Sequence, residues 1–416
     1  MIFLYNILQL LLSPLLIVLF LFPEKREENL RRLGVGFHCR PKQIGRKTFL
    51  IHTDSATEIS SALLLIKGLK QTYPEAEIFF STISLENDEI ARKILGSYVK
   101  SFVLIPLDIR LCINRFLGKI DPDLCILVNS TVQPNFGNCL QSKMIPAILV
   151  NFRVSTKRFK KYKRFSFLYK SFLSSISSIC VQAENDKQKL GQLGVNMEKI
   201  HLTGNIKFDA ALSPGELSKA NISFILPAYS QLLLAYSIHE EEEESILQCF
   251  KKLRTEFPDI YLLVSPFHNR RGPAIHRMAA KMELMANLRS QINVGGRDLF
   301  ILDTSDELFP ACSMVDIAFV GGSMVDKGGH DPIEPAICGI PVLFGNHMEN
   351  FFEISSEMLH AGGGILVRDQ IELQSNLEAL LRNRDWLQKK GDAARSYCQS
   401  KQGVLVRYLS RIQEVL

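Results

Sequence analysis

"DIAFVGGSMVDKGGHDPIEPA", residues 316–336, packs two glycine pairs, a serine, a histidine, two prolines and a glutamate behind an apolar run. The run from Ile317 to Val320 reads as a buried strand. The segment from Pro332 reads as the entry to a helix, since proline suits a first helical turn. Strand, glycine-rich turn and helix in that order are half of a parallel α/β unit. Such a junction offers free backbone N–H groups and the positive end of a helix dipole, which suits a phosphate. Glu334, in the first turn, is placed to accept from ribose hydroxyls. A plain tight turn would explain the glycines alone. The glycine pairs, His330 and the Pro-flanked Glu334 together favour an anion and nucleotide site.

The same alternation runs outward in both directions. Strands are expected at 46–53, 76–83, 101–107, 124–130, 145–152, 176–183 and 199–204, with helices at 58–74, 87–99 and 184–194 between them. After the mixed Gly/Pro/Ser/Asn stretch 204–223, strands recur at 231–237, 260–266, 298–303, 316–321, 339–345 and 362–367, with helices at 240–256, 271–288 and 371–400. This pitch argues two doubly wound Rossmann-like α/β halves, and ligands of such sheets bind beyond the carboxyl ends of the strands. The cleft between facing halves is the default site. The expected division is 1–23 as a membrane-anchor helix, 24–209 as an N-terminal domain, 210–223 as a linker and 224–416 as a C-terminal domain.

The anchor rests on the uncharged run "IFLYNILQLLLSPLLIVLFLF", residues 2–22, long enough to cross about 30 Å of hydrocarbon. Lys25, Arg26, Arg31 and Arg32 follow it, which places the rest of the chain in the cytoplasm. A cleaved signal peptide lacks its basic start and small-residue cleavage site here. A helix dipping into one leaflet is the other reading. The formal charge of +6 among 416 residues is mild. The nine cysteines are scattered, without CxxC pairs or zinc spacing, so neither a disulfide scaffold nor a metal site is expected.

Other polar groups gather at strand ends. "HTDSATEIS" (52–60) places Ser55 and Glu58 after a strand, where Glu58 is either a helix-start residue or a general base. "STKRFKKYKRF" (155–165) interleaves Lys157, Arg158, Lys160, Lys161, Lys163 and Arg164 with aromatics. Nucleic acid, an anionic membrane surface and a solvated helix face are its three readings, and the N-terminal anchor favours the membrane. Ser237 and His239 open the acidic run "HEEEEES", whose acids read as helix N-terminal charges. His268 and Arg271 follow the strand at 260–266.

These segments resemble the Kdo transferases, membrane-associated glycosyltransferases that move 3-deoxy-D-manno-octulosonic acid (Kdo) from CMP-Kdo to lipid A precursors. The resemblance covers almost the whole chain and is most specific in "TGNIKFD" (203–209), residues 316–336 and "PVLFGNHMENFFEI" (341–354). It implies a GT-B fold, an inverting transfer without metal or other cofactor, and a cytoplasmic site at the inner membrane. Partners would be CMP-Kdo, an anionic glycolipid acceptor and the membrane, and not nucleic acid. Residue by residue, Glu58 matches the proposed general base, and His52 and Ser55 match its motif. Asn205, Lys207, Ser237, His239, His268, Arg271, Gly321, Gly322, Ser323, Gly329, His330 and Glu334 match positions expected to hold the CMP-sugar. Ser55 and the basic residues of 157–164 would face the acceptor. Lys207, Arg271 and the backbone of 321–323 would steady the leaving CMP.

The chain also departs from the pattern. Thr57, Glu241 and Asp306 replace glycines, and Phe267 replaces an arginine. Asn129, Thr131 and Gln133 replace two glutamates and a tryptophan. These departures keep two alternatives in view: a silent or re-purposed homologue that binds lipid or a partner, and a transferase with a changed donor or acceptor.

Overall fold

The computed structural model describes residues 5–7, 9, 23–33, 45–131, 133–210, 225–304 and 307–416. The chain divides into two compact α/β units. Unit 1 comprises residues up to Asp209 together with Gly403–Leu416, and unit 2 comprises Ala210–Gln402.

Unit 1 is built on one parallel sheet. Its strands are β1 (Thr48–Thr53), β2 (Glu77–Thr82), β3 (Ser101–Leu104), β4 (Leu124–Val128), β5 (Ala147–Phe152), β6 (Ser178–Val181) and β7 (Ile200–Leu202). They lie in the order β3-β2-β1-β4-β5-β6-β7. The strands are apolar throughout because both faces are covered. Leu50, Phe79, Leu127 and Leu149 enter one core. The alternate residues Phe49, Ile51, Phe80, Ile126 and Val150 enter the other. Period-two alternation therefore feeds two cores from the same strands.

Unit 2 repeats the plan with β8 (Gln231–Ile238), β9 (Ile260–Pro266), β10 (Ala286–Leu288), β11 (Leu299–Ile301), β12 (Ile317–Val320), β13 (Val342–Phe344) and β14 (Gly364–Leu366). The order is β10-β11-β9-β8-β12-β13-β14, all parallel. In each sheet the winding reverses at one point, between β1 and β4 in unit 1 and between β8 and β12 in unit 2. Those switch points open a crevice at the strands' carboxyl ends.

Three expectations change. The helix expected over 271–288 ends at Lys281, Glu283 takes a left-handed φ of 60°, and residues 286–288 form β10. The helical tail 371–400 breaks at Asn383, which caps the second helix through Trp386 N–H. The last helix, Val404–Val415, was assigned to the C-terminal domain but belongs to unit 1. Its stripe of Val404, Tyr408 and Ile412 is fully buried in the second core of unit 1. Side chains of this kind contribute about 1.5–3 kcal/mol each when fully buried.

The anchor expected at 1–23 lies outside the described residues apart from Tyr5, Asn6, Ile7, Gln9 and Pro23, as does the linker beyond Ala210. Among the described residues no helix is long and apolar enough to cross a membrane. Tyr5 Oη donates to Asp108 Oδ2 at 2.9 Å, and Gln9 Nε2 donates to the Asp108 carbonyl at 3.0 Å.

Candidate active site

In unit 1 the chain leaves β1 at the switch point and turns at Ser55. The Ser55 hydroxyl accepts from Thr57 N–H at 3.3 Å and meets Thr57 Oγ1 at 2.7 Å, which closes a short turn over Ala56–Glu58. Ser55 is thus a turn-former. Glu58 heads the helix Ile59–Thr72, yet its side chain makes no capping bond. Its carboxylate accepts instead from Asn129 Nδ2 at 2.8 Å and Asn151 Nδ2 at 2.9 Å. Of its two readings, the capping one is removed and the half-buried carboxylate at the strand ends remains.

Both asparagines take left-handed backbone conformations, φ 45° at Asn129 and 53° at Asn151. Asparagine tolerates that region better than other side chains. Asn129 follows β4, and Asn151 sits where β5 loses register with β6. Neither was singled out as a partner of Glu58 from the sequence.

Beneath the turn, buried His52 joins two elements. Its Nδ1 lies 2.9 Å from the Ser81 carbonyl and hydroxyl, and its Nε2 lies 2.9 Å from Asp54 Oδ1. Asp54 also accepts from Ser130 Oγ at 3.2 Å and from Thr131 N–H. Burial pushes the Asp54 carboxyl up, but His52 and Thr131 outweigh it and hold it at about 2. A depressed carboxyl stabilises the fold above its unfolded pKa near 4 and loses that contribution as pH falls through its folded value. Asp54→Asn is therefore expected to cost about 2 kcal/mol at pH 7. Urea unfolding would reveal a gap from the parent chain that shrinks towards pH 2. A gap independent of pH would contradict this account.

The basic segment forms the helix Thr156–Arg164, capped by Ser155 and pinned by buried Tyr162. Lys157, Lys160, Lys161, Lys163 and Arg164 are exposed. Arg158 is not part of that exposed face. Its Nη1 donates to Asn129 Oδ1 and to the Arg153 carbonyl, both at 2.9 Å. Asn205 and Lys207 belong to unit 1, whereas the other residues assigned to the CMP-sugar belong to unit 2. Buried Asn205 shapes its own turn, accepting from Lys207 N–H at 3.0 Å and donating to Gln182 Oε1 at 3.2 Å.

In unit 2 the quoted segment follows β12 at the second switch point. A Cβ on Gly321 would lie 2.4 Å from the Ser237 carbonyl, and Gly322 holds a φ of 66°. Both positions therefore require glycine. Ser237, at φ 53°, marks the register shift where β8 ends. The loop N–H groups were expected to receive a phosphate; the structure corrects this. Buried Glu242 accepts from Gly322 N–H at 2.7 Å, Ser323 N–H at 3.1 Å and Met324 N–H at 3.0 Å. The same carboxylate accepts from His239 N–H at 3.0 Å, closing a capping box. Gly321 N–H goes to the Tyr236 carbonyl at 2.8 Å. The anion in this nest is the protein's own.

Two further assignments change. Ser323 is fully buried and accepts from Gly345 N–H at 2.8 Å, so it joins β12 to β13. Arg271 is held by Glu243, at 2.9 Å from Nε and 2.7 Å from Nη2, and by Glu240 at 3.1 Å. Its charge is matched within unit 2. Gly329, at φ 69°, passes against Met348, and Glu334 occupies the first turn of the short helix Ile333–Ile337.

The accessible chemistry of this crevice lies in its rings. His239 Nε2 and His330 Nε2 are 3.0 Å apart, so one donates and the other accepts. Phe267 stacks on His239 at 4.7 Å and on His330 at 4.6 Å, with exposed His268 beside it. Burial lowers His239 below the usual imidazole range, and Lys327 and His268 push the same way. Nearby, Asp326, His347 and Glu349 bring ligand-type atoms within 4.8 Å of one another, a group the sequence spacing did not suggest.

The profile of the 3-deoxy-D-manno-octulosonic-acid transferases (kdotransferases) matches residues 27–210. The 3-deoxy-D-manno-octulosonic acid transferase of Haemophilus influenzae is 30% identical over 427 residues, covering 100% of this chain and 98% of that protein. The chain belongs to the Kdo transferase family. The Kdo transferase of Rickettsia bellii is 29% identical, with 98% of each chain covered.

Solved structures agree on the fold. UDP-GlcNAc 2-epimerase from Neisseria meningitidis, solved with UDP-GlcNAc, superposes with a TM-score of 0.61 at 14% identity, covering 88% of this chain and 100% of that one. A glycosyltransferase from Rickettsia africae gives 0.59 at 15% identity, covering 89% and 99%.

Set in the Kdo transferase family, the departures acquire local reasons. Thr57 and Glu241 lie in helical turns, and neither has a positive φ. The charge of Glu241 meets Lys327 Nζ at 2.8 Å rather than standing alone. Phe267 completes the ring stack. Asn129 supplies an amide donor to Glu58. Asp306 lies outside the described residues.

Proposed function

We propose that the chain is a GT-B glycosyltransferase that moves Kdo from CMP-Kdo to a lipid A precursor, with inversion and without metal. The observation that carries the reading is the Glu58 carboxylate at the switch point of unit 1, accepting from two amides that donate hydrogen bonds without giving up a proton. Family membership supports the substrates. In this reading Glu58 takes the proton of an acceptor hydroxyl. That oxygen bonds to the anomeric carbon of Kdo. The bond to CMP breaks, and its electron pair leaves on the phosphate oxygen.

The donor phosphate meets imidazole donors rather than loop N–H groups, because Glu242 already fills the latter. His239, His268 and His330 are the side chains we assign to that task. The exposed lysines of Thr156–Arg164, with Phe165 and Phe167 exposed beside them, suit an anionic lipid surface. The site would work on the cytoplasmic side of the inner membrane.

The test uses the full chain with vesicles carrying lipid A precursor and freshly made CMP-Kdo. The expected product is heavier than the acceptor by one Kdo residue or more, and the protein floats with the vesicles. No product, with no CMP-Kdo binding by calorimetry, would overturn the reading. CMP-Kdo binding without product would favour the silent homologue, for which the internally matched Arg271 and Glu242 speak.

A further inference from the structure

We infer that Asn129 and Asn151 are positioning residues that hold the Glu58 carboxylate in one orientation, with Arg158 and the Ile206 N–H fixing which way each amide faces. The inference rests on Glu58 acting as the base.

An asparagine amide can present its oxygen or its NH2 group, and the surrounding network decides which. At Asn129, Oδ1 accepts from Arg158 Nη1 at 2.9 Å and from Arg153 N–H at 3.3 Å. A guanidinium has no acceptor, so the oxygen must face Arg158 and the NH2 group must face Glu58. At Asn151, Oδ1 accepts from Ile206 N–H at 3.3 Å, which turns the NH2 group towards Glu58. The backbone N–H of Asn151 donates to Tyr408 Oη at 3.0 Å, and that hydroxyl gives its single hydrogen to the Gly204 carbonyl at 2.9 Å. Tyr408 is fully buried, so neither end of Asn151 is free to turn.

The consequence is chemical. Each carboxylate oxygen of Glu58 accepts one amide hydrogen and keeps a lone pair for a further donor. Hydrogen bonds donated to a carboxylate favour its charged form. The clamp therefore fixes the carboxylate and aims its remaining lone pairs. Charged groups bear on this locus from several elements. Arg158 acts through Asn129, the Tyr408 hydroxyl holds the Asn151 backbone, and Asp54 with His52 holds Ser130 and Thr131 beside Asn129.

The experiment compares transfer across pH for Asn129→Asp, Asn151→Asp and Tyr408→Phe with Glu58→Gln as reference. Either Asp variant sets a carboxylate against Glu58. The acidic limb of the rate profile should move up by about one pH unit or more. The rate loss should be greatest on the acidic side, recover as pH rises, and leave the KM for CMP-Kdo within about twofold. Tyr408→Phe keeps the ring and removes only the hydroxyl, so it should lower kcat at unchanged donor KM. A rate loss with the limb unmoved in both Asp variants would overturn the clamp while the base reading stands. An active Glu58→Gln enzyme would overturn the base reading, and the clamp with it.

Discussion

Glu58→Gln is expected to lower the single-turnover transfer rate by about two to four orders of magnitude, the usual contribution of a positioned base. The substitution preserves shape and removes the proton acceptor. Its oxygen can still receive one amide hydrogen, while its NH2 group opposes the other. That mismatch leaves one hydrogen bond unmade, worth about 1 kcal/mol, so the variant should fold. CMP-Kdo affinity should change little, because the imidazoles assigned to the donor phosphate, His239, His268 and His330, lie in unit 2. Calorimetry with CMP-Kdo and rapid-quench transfer separate the two effects. A rate within tenfold of the parent would remove Glu58 from the chemistry.

Glu242→Ala is expected to act in the opposite way, through structure and donor affinity together. The carboxylate is buried and serves Gly322, Ser323, Met324 and His239 N–H groups at 2.7–3.1 Å. Truncation leaves four donors unpaired, three of them in the glycine-rich loop. Each buried orphan costs about 1–3 kcal/mol, and shared relaxation brings the sum to about 3–5 kcal/mol. That corresponds to a drop of about 6–20 °C in the melting temperature of unit 2. The loop would no longer hold His330 against His239, and CMP-Kdo affinity should fall by about a hundredfold or more, some 3 kcal/mol. Glu242→Gln should be intermediate, since one oxygen can still accept while the amide hydrogens face other donors. Melting within about 2 °C of the parent, with unchanged donor affinity, would contradict the role given to this carboxylate.

The alternation of apolar runs made both sheets legible, because strands buried on two faces are apolar at every position. Both glycine-dependent turns were legible for the same reason: Gly321 must approach β8 and Gly322 must take positive φ, and only one residue does either cheaply. The short strand Ala286–Leu288 was not legible, since three residues after a helix carry no period of their own. Arg158 was hidden in a run of six cations, and nothing in composition separates the one that turns inward. Asn129 and Asn151 read as turn residues, because their partner lies 71 and 93 positions away. Glu242 did leave a signal. It stands three residues after the helix cap His239, the position from which a glutamate reaches back to the cap. The run of five glutamates concealed it.

The last helix has a consequence for how the protein comes into being. Tyr408, which steadies Asn151, is synthesised after the whole of unit 2. The first unit therefore cannot complete itself on the ribosome while the second is being made. Its core stays open along the seam that Val404, Tyr408 and Ile412 fill. A chain that stopped at Gln402 would leave unit 2 whole and unit 1 without its closing element. The helix Val404–Val415 thus ties the holding of Glu58 to a segment that is made only after the whole of unit 2.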